Sequence, residues 1–304
     1  IVCFLVVIFG GYFLLSRYDI NISIKEKSKI KGKIENHISL QQEWFPFSGF
    51  AGEVSGSKRF ASNNGIKLDI LAGSEQVDPI KLVLAGSTSF GVVGGDLLVA
   101  AIAKGAPLVA IGAANCHSPT VFIVSDKSNI YETKNFIGKK VGILSGTNTE
   151  RIYQLMVKRT GVDRKSIKEI QIPFDLQTYL LNEYDVRPAF IYDEPVSLEQ
   201  KGFKYRLIKP EDFGVEFTGT VYFTTKEKLI NDRKTVVNLL KTLIQGWKFA
   251  IANPSESIND LIGVFPSLDR KREIRSLELA VPYFSNRVEL TSLIYHNIPK
   301  LIYL

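Results

Sequence analysis

The chain has 304 residues, of which 45% are hydrophobic, 23% charged and 11% aromatic. This composition is typical of a globular protein, because disordered chains are rich in charge and poor in aromatic residues, and the length predicts about two domains. The formal net charge is +7, but six basic residues lie close together between residues 17 and 33. We interpret this stretch as a solvated spacer, so the composition argues against nucleic acid as a partner.

The cysteine and histidine residues do not support a metal site or an internal disulfide. Cys3 lies in an apolar run, Cys116 is far from it, and the three histidines, His37, His117 and His296, are widely spaced. Protein metal sites usually show such ligands at short, regular spacings. We therefore expect neither a bound metal nor a cofactor.

Residues 1–15 form an uncharged apolar run, which Ser16 and Arg17 end. Its length suits the core of a signal peptide and falls short of the roughly 20 residues of a membrane-spanning helix. Because no small-residue cleavage site follows, we favour an anchor at residues 1–18, with a cleaved signal or a buried strand as alternatives. An anchor or a signal places the remainder outside the cytoplasm, with residues 19–36 as a basic tether.

From residue 37 onward, short apolar runs alternate with amphipathic ones, which is typical of βαβ units. The short runs are apolar throughout, as expected of strands that are covered on both faces. Strands are predicted at 38–44, 67–71, 88–93 and 108–113, and helices at 50–64, 78–85 and 96–104. Asp78 and Asp96 are expected to cap their helices, and Asn64-Gly65 is expected to end the first helix.

After Pro119 the pattern starts again, and it returns near residue 220. Strands are predicted at 120–125, 140–144, 167–172, 188–192 and 219–225, helices at 150–160, 176–182 and 232–252, and a further helical region at 266–304. This restart and return suggests a second lobe inserted into the first. Open parallel sheets bind ligands at the carboxyl ends of their strands, so two facing lobes would surround one cleft. The pattern predicts the α/β class, but it does not by itself predict a clamp.

Several short stretches occur in an order that resembles one protein family. They are EWFP at 43–46, GSTSFGVV at 86–93, AIAKGAP at 101–107, IGKKVGI at 137–143, YDEP at 192–195, KPEDFGV at 209–215, GWKFA at 246–250 and NP at 253–254. Together they resemble the substrate-binding proteins of ABC importers, in the group of thiamine-pyrimidine precursor, sulfonate, taurine and nitrate binders. The stretches around Glu194 and Asp212 are most similar to the thiamine-pyrimidine branch.

The resemblance implies an α/β fold, a two-lobed periplasmic-binding-protein-like clamp of type II. Each lobe would be a mostly parallel sheet flanked by helices, with two crossing strands between the lobes. Residues 37–122 plus 221–304 would form lobe one, and residues 123–220 lobe two. The implied function is that of an extracytoplasmic, monomeric binding protein that delivers a small molecule to an ABC permease, with its N-terminal segment on the membrane.

The same broad family includes the thiamine-pyrimidine synthase, an iron-dependent enzyme that consumes one of its own histidines. The resemblance would place that histidine near Leu97 and a nearby lysine near Val93. The cysteine-rich stretch of the enzyme would fall at 219–223, which contains no cysteine in this chain. Because none of these reactive groups is present, we do not expect an enzyme.

The main candidate ligand contacts follow predicted strands. Trp44 ends the first strand, and its indole could stack on a flat ligand. The pyrimidine branch tends to have Asn at the position of Glu43. The carboxylate of Glu43 favours an amine-bearing ligand or an ion pair that closes the lobes. Tyr192 ends a predicted strand of lobe two, and Glu194 follows it. A carboxylate there could accept paired N–H bonds from an aminopyrimidine. A helix start is the alternative for Glu194, and a capping role is favoured for Asp193.

Two turns and one histidine complete the candidate site. The turn of lobe two comprises Ser145, Gly146, Thr147 and Asn148. Its exposed amide N–H groups could hold an anion or a carbonyl oxygen, with an ordinary helix cap as the alternative. Gly95 and Asp96 belong to the equivalent turn of lobe one, where small residues would let a ligand approach the backbone. His117 lies near the first crossing and could reach the cleft, although isolated histidines in such places are more often structural.

The leading hypothesis is a receptor for a flat, nitrogen-rich, pyrimidine-like molecule of the thiamine-precursor type. A binder of sulfonate, taurine or nitrate is the second hypothesis, ranked lower because Glu43, Asp193 and Glu194 would repel an anion. The third is an extracellular ligand-sensing module of a larger signalling protein.

Overall fold

The computed structural model describes residues 36–115, 117–216 and 219–285. The predicted anchor or signal segment at 1–18 and the tether up to residue 35 lie outside these described residues. The same holds for Cys116 and for the last part of the predicted helical region, 286–304. No helix within the described ranges is long and apolar enough to cross a membrane.

Ten strands run through the described residues and form two sheets of five. They are β1 (Asn36–Gln41), β2 (Ile66–Leu71), β3 (Phe90–Gly94), β4 (Leu108–Ala113), β5 (Thr120–Ser125), β6 (Lys140–Ile143), β7 (Lys168–Gln171), β8 (Val186–Phe190), β9 (Tyr205–Ile208) and β10 (Thr220–Thr225). The first sheet has the order β2-β1-β3-β10-β4, and the second has the order β7-β6-β8-β5-β9. Both sheets therefore share one topology.

Helices flank the two sheets. In the described part of the chain they are α1 (Ala51–Arg59), α2 (Pro79–Leu84), α3 (Gly95–Ala103), α4 (Asn148–Arg159), α5 (Gln177–Leu180), α6 (Glu194–Gln200), α7 (Lys226–Asn231), α8 (Arg233–Ala252), α9 (Pro254–Val264) and α10 (Arg270–Ser285). We call the first sheet with α1–α3 and α7–α10 lobe one, and the second sheet with α4–α6 lobe two.

The chain crosses between the lobes twice, from β4 to β5 and from β9 to β10. The first three strands of each sheet are parallel. By contrast, β5 and β10, with which the chain enters the other sheet, are antiparallel to both of their neighbours. This topology confirms the predicted α/β clamp with mostly parallel sheets, whereas the lobe limits suggested by the resemblance stay a prediction.

Most predicted elements are present, with shifted ends. β4 and β5 begin and end at the predicted residues, and α8 begins one residue later than predicted. The first helical segment is followed by Gly65 in a left-handed conformation, as predicted. β1 and β8 both begin and end two or more residues earlier than predicted, so that β1 ends before Trp44 and β8 ends before Tyr192. Each of these aromatic residues lies in the loop that follows its strand.

The predicted helix caps have different outcomes. Asp78 caps α2 as predicted, since its side chain accepts a hydrogen bond of 3.2 Å from the backbone N–H of Lys81. The N-cap of α3 is Gly94, and Asp96 lies in the first turn of that helix. The predicted capping role of Asp96 is therefore wrong.

Three elements were not predicted: β9, α7 and α9. The start of α6 was expected, because Asp193 was predicted to cap a helix there. β9 lies at the edge of its sheet and pairs with β5. An edge strand does not need to be apolar on both faces, and the guanidinium of Arg206 in β9 packs over the ring of Tyr131 at 4.2 Å. This strand is therefore not a continuous apolar run, and that pattern did not predict it.

The contact between α1 and α8 in lobe one depends on glycine. A Cβ atom on Gly246 of α8 would lie 2.0 Å from the carbonyl oxygen of Gly52 and 2.5 Å from the backbone nitrogen of Gly56, both in α1. Next to this contact, the buried indole of Trp247 packs so closely on Gly52 that a Cβ there would lie 2.1 Å from the ring. Backbone atoms cannot move aside as the end of a side chain can, so α1 and α8 approach closely only without these side chains.

We predict that Gly246→Ala lowers the free energy of unfolding by about 1–3 kcal/mol or more, because the added methyl group overpacks a backbone contact. Gly263→Ala in α9 is the matched control, since its Cβ would meet only the Nζ atom of Lys58, at 3.0 Å. At this exposed helical position alanine is expected to be neutral or to stabilise by about 0.5–1 kcal/mol. Denaturant unfolding of both variants measures the difference, and equal effects would contradict this account of the contact.

Candidate functional site

A cleft of about 620 Å³ lies between the two lobes, a volume typical of sites for small molecules. Its walls contain residues at or beyond the carboxyl ends of β1–β3 in lobe one and of β6–β8 in lobe two. Seven of the predicted contacts line it: Glu43, Trp44, Ser145, Gly146, Thr147, Asn148 and Glu194. The fold thus brings together predicted residues from both lobes.

Glu43 lies in the loop after β1, in the wall of lobe one. Its Oε2 atom accepts a hydrogen bond of 2.8 Å from the backbone N–H of Gly94 at the end of β3. Burial raises the pKa of Glu43 to about 7, the charge of Asp96 adds to the rise, and the bond from Gly94 opposes it. Among the described residues no Lys or Arg forms an ion pair with Glu43, so the predicted ion pair between the lobes is not formed by this residue.

Two aromatic residues meet across the cleft. Trp44 of lobe one and Phe174, which follows β7 in lobe two, have ring centroids 4.7 Å apart with an interplanar angle of 64°. Phe45 packs edge-on against the same indole at 5.6 Å. Edge-to-face contacts leave part of each ring face available to a third planar group. The aromatic part of the cleft therefore belongs to both lobes.

Glu194 is the first residue of α6, in the wall of lobe two. Its Oε2 atom accepts a hydrogen bond of 2.8 Å from the backbone N–H of Phe190 at the end of β8. Burial raises the pKa of Glu194 to about 7, and the negative charge of Asp193 adds to the rise, while Arg187 opposes it. Near neutral pH the charged and neutral forms of this carboxyl group are therefore close in free energy.

Asp193 occupies the N-cap position of α6, but its side chain makes no capping hydrogen bond there. Its carboxylate instead pairs with the guanidinium of Arg272 in α10. The predicted capping role of Asp193 is therefore wrong. The physical reason is that a nearby cation competes for the carboxylate more strongly than a backbone N–H group does.

The turn between β6 and α4 forms many of its hydrogen bonds within the chain. The N–H of Gly146 donates to Oε2 of Glu150 at 2.8 Å. The hydroxyl of Thr147 donates to the carbonyl of Leu144 at 2.7 Å, and the hydroxyl of Ser145 donates to Oε1 of Gln171 at 2.5 Å. The carboxylate of Glu150 thus occupies the place where the predicted anion cradle would hold a ligand oxygen.

The two lobes also touch beside this turn. Asp96 of α3 pairs with Arg151 of α4 across the cleft, with 3.6 Å between Oδ2 and Nε. A Cβ atom on Gly94 would lie 3.3 Å from the Cβ of Asn148, so the absence of a side chain allows the two turns to approach. Asp96 and Gly95 therefore lie where the lobes meet. Asp96 affects the cleft by pairing with Arg151, which lines it.

Four predicted contacts do not line the cleft: Gly95 and Asp96, which lie beside it, and Tyr192 and His117, which lie elsewhere. Tyr192 is 2% exposed, its ring stacks on Phe47 at 6.0 Å, and its hydroxyl accepts a 3.3 Å hydrogen bond from Asn115. The chain turns after β8 and directs this ring into the core of lobe one. His117 lines a separate cavity of about 370 Å³.

Across the described ranges, no group of three or more His, Cys, Asp or Glu side chains is arranged to hold a metal ion.

Sequence reasoning missed Phe174 and Arg151, which both line the cleft. Phe174 could have been found, because it follows the carboxyl end of β7 just as Trp44 follows that of β1. Arg151 is three residues after Asn148 in α4, and this spacing places both on one face of the helix. No sequence signal pointed to Arg272, which is 79 residues from its partner Asp193.

Comparison with known proteins identifies relatives of both binding and enzymatic kinds. A family model described as NMT1/THI5 like matches residues 54–257, more than half of the chain. The 4-amino-5-hydroxymethyl-2-methylpyrimidine phosphate synthase of Legionella pneumophila is 26% identical over 230 residues, which cover 74% of this chain and 72% of that protein. The formylaminopyrimidine-binding protein of Halalkalibacterium halodurans is 20% identical over 230 residues, covering 74% and 69% respectively.

Among solved structures, the periplasmic aliphatic sulphonate binding protein SsuA from Escherichia coli has a similar fold. The TM-score is 0.66 at 16% sequence identity, and the match covers 86% of this chain and 88% of that one. At this identity the likeness concerns the fold alone. It agrees with the two five-stranded sheets described above.

Proposed function

The chain belongs to the NMT1/THI5-like family, and from that premise we propose that it is an extracytoplasmic solute-binding protein. It binds a small, flat, nitrogen-rich molecule of the pyrimidine type and delivers it to an ABC permease. The two-lobed fold and the cleft between the lobes support a binding role. The relatives that are named for pyrimidines support the choice of ligand class.

The observation that carries the ligand proposal is the pair of carboxyl groups in the cleft. Glu43 and Glu194 come from opposite lobes, and each accepts a backbone N–H bond. No ion pair joins either of them to a Lys or Arg in the part of the chain that the structure describes. Burying a carboxyl group without a cation is unfavourable unless other donors compensate for the lost water. A ligand that brings N–H donors to both walls would supply that compensation.

An aminopyrimidine suits a carboxyl group whose pKa is near 7. The exocyclic amine donates to one carboxyl oxygen, and a single proton joins the other oxygen to a ring nitrogen. Because burial raises the pKa of Glu194 to about 7, the group can hold that proton at neutral pH. The ring itself would lie against Trp44 and Phe174, where aromatic contact contributes about 0.5–1.5 kcal/mol beyond the area buried.

A compact anion fits the cleft less well. Two of the cations that line the cleft are already paired, Lys81 with Asp78 at 3.3 Å and Arg151 with Asp96 at 3.6 Å. The turn at 145–148 is bonded to Glu150 and Gln171. A sulfonate or nitrate would have to displace these partners and would meet the negative charge of Glu43 and Glu194. The pyrimidine class therefore ranks above the anions.

The cleft is better explained by ligand binding than by catalysis, although one relative is named as a synthase. The resemblance places the reactive histidine and the nearby lysine of that enzyme class near Leu97 and Val93, and both of these apolar residues line the cleft. Neither side chain can transfer a proton or bind a metal. The proposed role therefore ends with binding and release, and closure of the lobes would signal to the permease that ligand is present.

The partners and the location follow from the same proposal. The N-terminal segment, as an anchor or a cleaved signal, would keep the two-lobed body at the outer face of the cytoplasmic membrane or in the periplasm. The body would act as a monomer, because each molecule contains both walls of its own cleft.

We predict that formylaminopyrimidine, or a related aminopyrimidine, raises the melting temperature of the protein. A ligand that binds only the folded state stabilises it by RT ln(1 + [L]/Kd), which is about 2.7 kcal/mol at a hundredfold excess over Kd. Thermal unfolding with aminopyrimidines, taurine, an alkanesulfonate and nitrate measures the effect. Stabilisation by the anions and not by the pyrimidines would contradict the ligand class, and stabilisation by none would contradict the proposed site.

We also predict that affinity for formylaminopyrimidine falls as the pH rises above about 7. Glu194 has a raised pKa of about 7, so it loses the shared proton in this range, and affinity should fall by up to tenfold per pH unit. Glu194→Gln carries a permanent N–H donor, so at pH 9 it should bind at least about tenfold more tightly than the wild type.

The matched control for this profile is Glu75→Gln, which makes the same chemical change at an exposed position of the same cleft. It should keep the pH profile of the wild type. Calorimetric titrations between pH 6 and 9 measure all three proteins. A Glu194→Gln variant whose affinity falls as steeply as that of the wild type would show that Glu194 does not hold the shared proton.

A further inference from the structure

Helix α10 belongs to lobe one by its packing on α8 and α9, yet it also holds a segment of lobe two. On the lobe-one side, Oε2 of Glu273 accepts a 2.6 Å hydrogen bond from the backbone N–H of Ser48, and the hydroxyl of Ser48 donates to that of Ser276 at 2.5 Å. On the lobe-two side, the hydroxyl of Ser276 donates to the carbonyl of Tyr192. The helix therefore ties the loop between β8 and α6 to the core of lobe one.

Arg272 forms the charged part of this connection. Its guanidinium pairs with the carboxylate of Asp193, donates to Oγ of Ser197 at 3.1 Å, and donates to Oε1 of Glu273 at 2.6 Å. The side chains of Arg272, Asp193 and Glu273 are 19%, 16% and 1% exposed. Such weakly exposed ion pairs are screened little by solvent, so each partner strongly affects the others.

Asp193, which pairs with Arg272, is the residue next to Glu194, the proposed ligand contact. Asp193 precedes Glu194, and its charge raises the pKa of Glu194, whereas Arg187 opposes the rise. The other charged groups that line the cleft are Glu43 in the facing wall, the paired Lys81 and Asp78, Glu75, Lys104 and Arg151. The partner of Arg151, Asp96, lies beside the cleft. Arg272 is the cation that pairs with Asp193, so it controls how much of that negative charge reaches Glu194.

We propose that Arg272 is a positioning residue of the ligand site: by holding Asp193 and the first turn of α6, it sets the pH range over which Glu194 binds ligand. This inference rests on the proposed function, because it assumes that Glu194 contacts the ligand. Arg272 itself does not touch the ligand. Its effect passes through the charge of Asp193, and that route distinguishes it from a residue that merely stabilises the fold.

The test uses Arg272→Met, with Arg275→Met as the matched control. Arg275 lies on the same helix and reaches α6 through Glu199 at 3.4 Å, but this pair is 48% and 41% exposed and does not include Asp193. In Arg272→Met the midpoint of the high-pH decline in affinity for formylaminopyrimidine should move upward by about half a pH unit or more, because a less compensated Asp193 favours the protonated form of Glu194. In Arg275→Met the midpoint should stay unchanged.

The variant Asp193→Asn shows whether Arg272 acts through the charge of Asp193 or only by stabilising the fold. Asp193→Asn alone should move the midpoint downward, and in that background Arg272→Met should move it less than half as far as it does in the wild type. In the double variant no unpaired carboxylate is left at position 193, and Glu273 keeps its hydrogen bond from the backbone N–H of Ser48. The double variant is therefore expected to be more stable than Arg272→Met alone. Equal shifts in the two backgrounds would overturn the inference.

A measurement without ligand distinguishes failure of this inference from failure of the proposed function. The ionisation of Glu194 can be followed by ¹³C NMR of glutamate-labelled protein, with its resonance assigned by its loss in Glu194→Gln. If the titration of Glu194 does not move in Arg272→Met, the inference is wrong whatever the protein binds. If the titration moves but the affinity for formylaminopyrimidine does not follow, Glu194 is not a ligand contact, and the inference fails together with that part of the proposed function.

Discussion

The direction of the strands is the constraint on which the rest of this structure depends. In each sheet the first three strands are parallel, and the strand that arrives from the other lobe runs against them. As a result, the carboxyl ends of six strands, three from each lobe, face one cleft. Backbone N–H groups and short loops collect at such an edge. The positions of Glu43, Trp44, Phe174 and Glu194 all follow from this arrangement.

In and beside the cleft, some charged residues are paired with a partner of opposite charge, and others have only backbone N–H donors as partners. Asp96 and Arg151 neutralise each other where the lobes meet, and Glu150 satisfies the turn at the start of α4. Glu43 and Glu194 share partial burial and a pKa raised to about 7, with backbone N–H donors as partners. Two such carboxyl groups on opposite walls, beside an aromatic pair, are suited to a planar ligand that carries N–H groups.

The class of fold and the family resemblance could be predicted from the sequence, and both are confirmed. The strands that matched best, β4 and β5, are continuous apolar runs that follow Pro107 and Pro119. Trp44 was expected in the cleft because it was predicted to lie at the carboxyl end of the first strand. It does line the cleft, although β1 ends three residues before it. The rule that ligands meet the carboxyl ends of strands tolerates such errors, since a loop of a few residues still lies at the same edge.

The remaining features depend on tertiary contacts that leave no pattern in the sequence. Tyr192 follows a strand as Trp44 does, but a turn of the chain buries its ring in lobe one. The pairing of Asp193 with Arg272 joins residues that are 79 positions apart. Local rules predicted a helix cap for Asp193, because they cannot detect a cation that a distant helix brings close.

The most direct test of the central claim, that a flat ligand lies against Trp44 between the lobes, is tryptophan fluorescence. The chain has two tryptophans, and Trp247 is buried in the core of lobe one, stacked on Phe284 at 3.9 Å. The account predicts that formylaminopyrimidine changes the emission of the wild type, and that the change disappears in Trp44→Phe while binding persists with modestly reduced affinity. An emission change of the same size in Trp44→Phe would contradict the account, because it would place the ligand away from Trp44.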